Sequence, residues 1–187
     1  MQTLTVSRDD GVYEAFADIA QAPDGALVCT YRESMAHAPW PFSRVIVRRS
    51  EDGGYTWLPR QVLLEKQLDR GEERLNCPRI AALADGTLVL VIDLQPAQGG
   101  WSTEPARSLF YRSRDGGRTW EGPEDPAVRD GIVPSLKELS NGDLLLGLTR
   151  QRSLDGTLGK LTEEQVVYRS GDGGHTWEGP FLVPGQP

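Results

Sequence analysis

Short apolar runs, each set off by a polar turn rich in glycine, organise the whole chain. The runs are continuous rather than alternating, which is typical of strands that are buried on both faces of a sheet. No window shows the period of a long amphipathic helix. The runs cover residues 26–31, 45–47, 87–92, 109–111, 143–149 and 166–168. This pattern predicts an all-β protein.

An eight-residue motif, S-x-D-G-G-x-T-W, occurs three times. Its copies are 50–57, 113–120 and 170–177. A second marker, Asp-Gly or Asn-Gly, precedes the three copies by 26, 28 and 29 residues, at Asp24-Gly25, Asp85-Gly86 and Asn141-Gly142. Two markers that keep the same period of about sixty residues indicate a repeat architecture.

Each marker has a turn chemistry of its own. Asp-Gly and Asn-Gly between apolar runs predict hairpins, because these residues tolerate the positive φ of a type I′ turn. In the octapeptide, the Ser and Asp side chains accept hydrogen bonds from nearby backbone N–H groups, and the two glycines supply positive φ. The Thr-Trp pair then restarts a strand with a large apolar anchor.

Each period therefore yields four strands in up-and-down order. A repeated four-stranded antiparallel unit, covered on both faces by its neighbours, is a propeller blade. We predict one propeller segment over 1–187, an all-β fold of three four-stranded blades at about 13–65, 75–128 and 132–183.

Three blades are fewer than the four to eight that ordinarily close a propeller. Either two copies of the chain form a homodimer that completes a six-bladed ring, or the chain is part of a longer protein. Met1 to Arg8, where Leu4 and Val6 alternate with polar residues, is compatible with an outer strand of a last blade.

Composition narrows the classes of partner. With 20 basic and 27 acidic residues the net charge is −7, which disfavours nucleic acid. The longest apolar run, Leu88–Ile92, is too short to span a membrane, and no signal peptide is visible. We expect a soluble protein, cytoplasmic by default. Cys29 and Cys77 are expected to be buried free thiols, and no metal or cofactor is expected.

The topology also sorts residues by face. The marker turns and the octapeptides lie on one side, and the long loops, where function is favoured, lie on the other. The candidates on the loop side are Arg32, Glu33, His37, Trp40, Arg79, Asp93, Gln95, Trp101, Glu104, Arg129, Asp130, Arg150, Gln151 and Arg152.

The octapeptide resembles the sialidase Asp-box, also called the bacterial neuraminidase repeat. The whole chain resembles about half of a six-bladed sialidase-like propeller. In that family the box is a fold marker that lies away from the catalytic face. The resemblance implies an Arg triad for the substrate carboxylate, an Asp as acid/base, and a Tyr nucleophile activated by a Glu, an exception to the usual paired carboxylates.

Arg79 is the position that matches the first arginine of that triad. It lies in Pro78-Arg79-Ile80, upstream of Asp85-Gly86, although the family has an aromatic residue before the arginine and Ile-Pro after it. For the acid/base, the resemblance leaves Asp93, Glu104 and His37 as candidates. The nucleophile, its Glu and the other arginines of the triad belong mainly to later blades of the family.

Each candidate also has a structural interpretation. Arg32, Glu33 and His37 either bind an acidic sugar and move a proton, or form a loop with a salt bridge. Arg79 either clamps a carboxylate or pairs with Asp93. Trp40 and Trp101 stack on a sugar ring or cover a blade edge. Arg150 and Gln151 face the propeller axis or are solvated.

We expect a glycoside hydrolase of exo-α-sialidase type that acts on a terminal acidic sugar and is incomplete in this chain. The alternative is a non-catalytic Asp-box propeller that binds a glycan or a protein.

Overall fold

The protein is built almost entirely of antiparallel β-sheet. The structure, a computed structural model, describes residues 3–38, 40–96, 106–129, 131–153 and 161–184. Within these ranges the one helix is a 3₁₀ turn at Leu68–Arg70, so the all-β prediction is confirmed. No helix in the described ranges is long and apolar enough to cross a membrane.

The strands form three sheets in chain order, and we call these sheets the first, second and third blades. The first blade contains β1 (Tyr13–Gln21), β2 (Leu27–Ser34), β3 (Phe42–Ser50) and β4 (Gln61–Gln67). The second blade contains β5 (Arg74–Leu75), β6 (Arg79–Ala82), β7 (Leu88–Gln95), β8 (Arg107–Ser113) and β9 (Glu121–Glu124). The third blade contains β10 (Ile132–Glu138), β11 (Leu144–Ser153), β12 (Leu161–Ser170) and β13 (Glu178–Leu182).

The innermost strand of the second blade is interrupted, which the sequence did not predict. Both β5 and β6 pair with β7. Between them Pro78 has no N–H to give to a ladder, and the N–H of Cys77 donates to the Asp93 side chain at 3.1 Å. The break therefore turns a strand into two short segments around a buried carboxylate.

The blades pack face to face through apolar side chains. In β7, Leu88, Leu90 and Ile92 face the first blade, whereas Val89 and Val91 face the third blade. All five side chains have no exposed surface. The continuous apolar run is therefore buried on both faces, as its pattern predicts.

The Asp-Gly and Asn-Gly sites are hairpins, but of a different type from the one expected. At the second site the Gly86 N–H donates to Leu83 O at 2.9 Å and the Leu83 N–H donates to Thr87 O at 2.8 Å. Gly86 has φ +89° while Asp85 has negative φ. This is the three-residue connection that joins a type I turn to a left-handed glycine, and the other two sites repeat it.

The octapeptide is held by its own Ser and Asp side chains. In the second copy the Gly117 N–H donates to Ser113 Oγ at 2.8 Å, and Ser113 Oγ donates to Asp115 Oδ1 at 2.8 Å. The N–H and hydroxyl of Thr119 donate to the two oxygens of Asp115 at 2.9 and 2.6 Å. The other two copies have the same bonds.

These bonds stabilise the charged form of each box carboxylate. Hydrogen bonds from Thr56 and Ser50 lower the pKa of Asp52 to about 2. Burial raises the pKa of Asp115, but the bonds from Thr119 and Ser113 outweigh it and bring the pKa to about 2. The pKa of Asp172 is likewise well below its usual range. The boxes are therefore ionised structural clamps at neutral pH.

Several strands continue past the end of their apolar runs into polar residues. Arg32 and Glu33 pair with Val45 and Arg44 inside the first blade rather than lying in a loop. Asp93 likewise lies in β7, and Arg150 and Gln151 lie in β11. The ladder continues because backbone pairing needs no apolar side chain.

The N-terminal residues 3–8 form no strand in the described structure, although an outer strand was considered for them. Val6 packs on the outward side of the first blade, against the cluster of Cys29, Tyr31 and Ile46. Cys29 and Cys77 are free and buried, and burial raises their thiol pKa values to about 11 and 12.

Candidate functional site

The two edges of the blades differ in character. We call the edge with the three marker turns and the three octapeptides the turn face, and the opposite edge, where β2 joins β3, β7 joins β8 and β11 joins β12, the loop face. The turn face consists of tight, internally bonded turns. The start of β1 also lies on the loop face, because Tyr13 pairs with Ser34 at the end of β2.

A bulge in β1 shapes the loop face. The register of β1 against β2 shifts between Ala15 and Asp18, and Phe16 within this bulge has φ +59°. A bulky residue in the left-handed region is strained, and such strain is concentrated at functional sites. The bulge turns the Phe16 carbonyl toward Arg79, whose Nη1 donates to it at 3.4 Å and to Pro78 O at 2.8 Å.

Arg32 lies beneath this bulge and is almost completely buried, with 1% of its surface exposed. Its guanidinium carbon lies 4.7 Å from the centre of the Phe16 ring, a cation–π contact. Its Nη2 donates to the carbonyl of His37 at 2.7 Å and its Nη1 to Asn76 Oδ1 at 3.3 Å. Burial lowers the pKa of Arg32, but an arginine remains charged at neutral pH.

His37 is exposed and lies beside Tyr13. The hydroxyl of Tyr13 is 3.0 Å from Nδ1 of His37. The His37 ring also lies edge-on to Tyr13, at 5.8 Å, and tilted against Phe16, at 5.7 Å. This arrangement can move a proton between a phenol and an imidazole at the protein surface.

Asp93, predicted as a possible acid/base, has no exposed surface. It accepts hydrogen bonds from Asn76 Nδ2 at 3.0 Å, Gln95 Nε2 at 3.1 Å and the backbone N–H of Cys77 at 3.1 Å. Burial raises the pKa of Asp93, and these bonds, with one from the N–H of Val133, act in the opposite direction. The carboxylate therefore lies inside a satisfied polar network.

The network around Asp93 reaches two arginines. Gln95, with 1% of its surface exposed, accepts from Arg74 Nε at 3.0 Å and from Nη2 at 2.5 Å. On the other side Asn76 connects Asp93 to Arg32. Burial lowers the pKa of Arg74, and Asp93 partly offsets this. The loop face thus gathers the guanidinium groups of Arg32, Arg74 and Arg79 around the first and second blades.

Glu33 points away from this cluster, because neighbouring residues of a strand alternate between its faces. Only 1% of its surface is exposed, and it forms ion pairs with Arg60 and, at 4.0 Å, with Arg44. Glu33 therefore belongs to an ion-pair network, which was the structural alternative for this residue.

Trp40 is 52% exposed, so its ring is available for contact.

The remaining predicted residues lie in or near the third blade or outside the described ranges. Arg150 is largely buried and lies 3.6 Å from a carboxylate oxygen of Glu164. Gln151 follows it in β11. Arg129 pairs with Asp125, at 2.6 Å. Trp101, Glu104 and Asp130 lie outside the residues that the structure describes.

The sequence interpretation missed Tyr13, Phe16, Asn76 and Arg74. Tyr13 and Phe16 lie in β1, the inner strand of the first blade, and belong to neither of the repeated motifs. Their place in the predicted topology could have indicated them, because β1 and the segments β5 and β6 are the inner strands of neighbouring blades. Their contact is direct, because the N–H of Ile80 donates to Asp18 Oδ2 at 3.0 Å.

Comparison with known proteins gives a family and a fold. The family model described as "BNR repeat-like domain" matches residues 42–183. No curated protein sequence matches the chain.

Three solved structures have a similar fold. A protein of unknown function from Dyadobacter fermentans is 19% identical with a TM-score of 0.67, over 94% of this chain and 56% of that one. The Hadza microbial sialidase Hz136 is 20% identical with a TM-score of 0.61, over 88% and 36%. An α-L-arabinanase of Penicillium chrysogenum is 16% identical with a TM-score of 0.63, over 86% and 47%. The chain spans less than two thirds of each of these proteins.

Proposed function

Because the chain belongs to the family of BNR repeat-like domains, we propose that its loop face is the sugar site of a propeller glycoside hydrolase. The proposed substrate is a terminal acidic sugar of the sialic acid type. One observation carries the proposal: the guanidinium groups of Arg32 and Arg79 contact Phe16, whose ring packs on His37 of the exposed Tyr13–His37 pair. The guanidinium of Arg74 joins Arg32 through the network of Gln95, Asp93 and Asn76. Guanidinium groups bind a carboxylate in a bidentate fashion, which suits an acidic sugar better than a neutral one.

Each residue then has a proposed role. Arg79, which is partly exposed, binds the sugar carboxylate, and Arg32 holds the loop of His37 from below. The Tyr13–His37 pair handles the proton, with Glu104 as a further candidate acid/base. We assign Asp93 a positioning role, because it has no exposed surface and holds Asn76 and Gln95. Trp40, Trp101, Arg150 and Gln151 are proposed to contact the rest of the glycan.

A second candidate is a propeller that binds an acidic glycan without hydrolysing it. The burial of Asp93 and Arg32, with 0% and 1% of their surfaces exposed, favours this candidate. With so little exposed surface, neither side chain is accessible to a sugar. A binder needs Arg79 and the aromatic side chains, but no group that transfers a proton.

The test combines turnover with binding. Wild type, Arg79→Ala and Arg114→Ala are assayed with a fluorogenic α-sialoside and a chromogenic α-L-arabinofuranoside, and the binding of free sialic acid is measured by calorimetry. Arg114 is a matched control because it lies on the turn face and pairs only with Glu121 among the described residues, at 2.8 Å.

We expect the sialoside alone to be hydrolysed, and Arg79→Ala to lower kcat/KM by about 100-fold, the loss of a charged hydrogen-bonded pair of ~3 kcal/mol. Arg114→Ala should match wild type. Binding that depends on Arg79 without turnover supports the second candidate. Absence of both turnover and binding contradicts both candidates. Turnover and binding that are equal in wild type and Arg79→Ala contradict the role assigned to Arg79.

A further inference from the structure

The third marker turn differs from the first two in its first residue. Its sequence is Asn141-Gly142, whereas the other markers are Asp24-Gly25 and Asp85-Gly86. In Asn-Gly the side-chain amide can react with the next backbone nitrogen, because glycine has no side chain that blocks the approach. Asn141 and Gly142 are exposed, and a Cβ built on Gly142 would have no atom within 4 Å. The amide therefore lies at an open tip that water reaches.

The exposure of this tip does not depend on what packs beside the third blade. Asp24 and Gly25 hold the same position in the first marker, and both are exposed although the second blade packs against the first. Asp85 of the second marker is likewise exposed, although the third blade packs beside it. The tip of a marker turn therefore stays open to water when a neighbouring blade is present.

Hydrogen bonds restrain each of the atoms that would react in the third marker. The Gly142 N–H donates to Leu139 O at 2.9 Å, and the Asp143 N–H donates to Asn141 Oδ1 at 3.2 Å. The Nδ2 of Asn141 donates to Asp143 Oδ2 at 2.8 Å. The same carboxylate oxygen accepts from Arg169 Nε at 2.7 Å. The backbone nitrogen, the amide oxygen and the amide nitrogen are thus all held in place.

The carboxylate of Asp143 is the part of this arrangement that the other markers lack. The corresponding residues are Ala26 and Thr87. Their backbone N–H groups still donate to the aspartate of their own marker, at 3.2 and 2.8 Å. The turn therefore accepts either asparagine or aspartate at its first position. The bond from the side-chain amide to a carboxylate two residues later belongs to the third marker.

We propose that Asn141 is a site of spontaneous deamidation and that its bond to Asp143 restrains the reaction. The backbone nitrogen of Gly142 attacks Cγ of Asn141 and loses its proton, while Nδ2 takes up that proton and leaves as ammonia, so that a five-membered succinimide forms. Water then opens the succinimide at either carbonyl, which gives aspartate or isoaspartate. Ring closure requires that Nδ2 leave Asp143 and that the Gly142 N–H leave Leu139 O, so the rate follows the local opening of the turn.

The two products change the turn in different ways. Aspartate at position 141 puts a carboxylate oxygen where Nδ2 now lies, 2.8 Å from Asp143 Oδ2, and like charges at this distance repel. Isoaspartate adds its Cβ to the main chain, which changes the spacing between Gly142 and Leu139 O. Either product therefore weakens the third marker.

The experiment incubates the folded chain at neutral pH in water enriched in heavy oxygen. Peptide mass spectrometry measures aspartate and isoaspartate at position 141, and the heavy oxygen identifies products that form during the incubation. The variants are Asp143→Ala, Asp85→Asn and Asp115→Ala. Each rate is divided by the rate of the same site in the chain unfolded in urea, which removes the intrinsic reactivity of the local sequence.

We expect Asn141 of the wild type to react at least about tenfold more slowly in the folded chain than in urea. Asp143→Ala should speed the reaction in the folded chain by about tenfold, the effect of one lost hydrogen bond to a charged group. In Asp85→Asn the new asparagine has Thr87 in place of the carboxylate and should react faster than Asn141 of the same molecule. Asp115→Ala removes bonds of the second box, away from Asn141, and should leave the rate at Asn141 unchanged.

Equal rates at Asn141 in the folded and unfolded wild type overturn the proposal, and so does an Asp143→Ala variant that reacts like wild type. If Asp115→Ala speeds the reaction as much as Asp143→Ala does, the opening involves the whole chain, and the local restraint is overturned. An Asn141 that stays intact even in urea removes the site. All of these outcomes are independent of any turnover of a sugar.

Discussion

The hydroxyl of Tyr13 lies 3.0 Å from Nδ1 of His37, at the edge of the first blade opposite its octapeptide. The two residues are 24 positions apart in the chain, and the antiparallel pairing of β1 with β2 brings them together. The carbonyl of His37 is held in turn by the buried Arg32, at 2.7 Å. An exposed pair of this kind, backed by a rigid strand, is where we expect the proton chemistry of the loop face.

Removal of the Tyr13 hydroxyl should therefore affect turnover more than stability. If the proposed hydrolase activity is present, Tyr13→Phe should lower kcat/KM for the sialoside by about 100-fold, the usual contribution of general acid–base catalysis. The melting temperature should stay within error, because the hydrogen bond is exposed. Tyr55→Phe is the matched control, since Tyr55 lies in the first box and is 65% exposed. Full activity of Tyr13→Phe would remove this pair from the mechanism.

The box carboxylates should contribute to stability through their hydrogen bonds. Asp115→Ala removes the acceptor for Thr119, Arg118 and Ser113. We expect it to lower the free energy of unfolding by about 2 kcal/mol, the value of hydrogen bonds to a charged group. Asp85→Ala, in a marker turn with one bond from the Thr87 N–H at 2.8 Å, should cost less than about 1 kcal/mol. Urea denaturation measures the free energy of unfolding of both variants. Equal losses would argue against Asp115 as the structural clamp of its box.

Acid should weaken the same boxes over a defined range of pH. The folded pKa of Asp52 and of Asp115 is about 2, below the ordinary value of 3.8. A depressed folded pKa stabilises the protein above the ordinary value, and this stabilisation is lost as the pH falls toward the folded value. The free energy of unfolding should therefore decrease between about pH 4 and pH 2. The change in the free energy of unfolding per pH unit should be smaller in Asp115→Ala. If that change is the same as in wild type, the acid sensitivity comes from other groups.

The second glycine of each box provides a test of packing between blades. A Cβ on Gly117 would lie 2.8 Å from Val28 of the first blade, whereas a Cβ on Gly54 would lie 3.5 Å from its nearest atom, on Leu27. Both glycines have positive φ, +85° and +93°, so alanine costs about 1 kcal/mol at either site. Gly117→Ala should cost a further ~2 kcal/mol from overpacking. Equal melting temperatures of the two variants would contradict the tight interface.

Asp93 is expected to stabilise the protein as an acceptor of hydrogen bonds. In Asp93→Asn an NH₂ group faces the N–H donors of Asn76, Gln95 or Cys77, so at least one buried donor loses its acceptor. We expect a loss of about 3 kcal/mol in the free energy of unfolding. Asp10→Asn, on a carboxylate that is 81% exposed, is the control and should change it by less than about 0.5 kcal/mol. A loss no larger than the control would contradict the burial of this carboxylate.

Local spacing was sufficient to predict the boxes and the hairpins, because their hydrogen bonds join residues two to four positions apart. Ser113, Asp115, Gly117 and Thr119 carry all of their mutual contacts inside one octapeptide. The turn type was wrong in detail, since only the glycine of each marker has positive φ. The continuous apolar run of β7 likewise indicated that both of its faces are buried.

The candidate site was predicted only in part, because burial depends on neighbouring blades. Asp93 and Arg32 follow apolar runs and were expected near the loops, but the inner strands of adjacent blades cover both. Tyr13 and Phe16 have no motif of their own. They are placed by the bulge in β1 and by contact with Arg79 and His37, which lie far from them in the chain.

The sequence by itself determined the repeat, the strands and the turn face of this protein, because these rest on short-range hydrogen bonds and on the period of apolar residues. Only the tertiary structure decided which polar groups are buried, which arginines gather at the loop face and which of the arginines before a box are covered by another blade. These properties depend on the packing of one blade on the next. Arg49 and Arg112 donate to carbonyls of the second and third boxes and are buried, whereas the side chain of Arg169, in the same local sequence position, is 52% exposed.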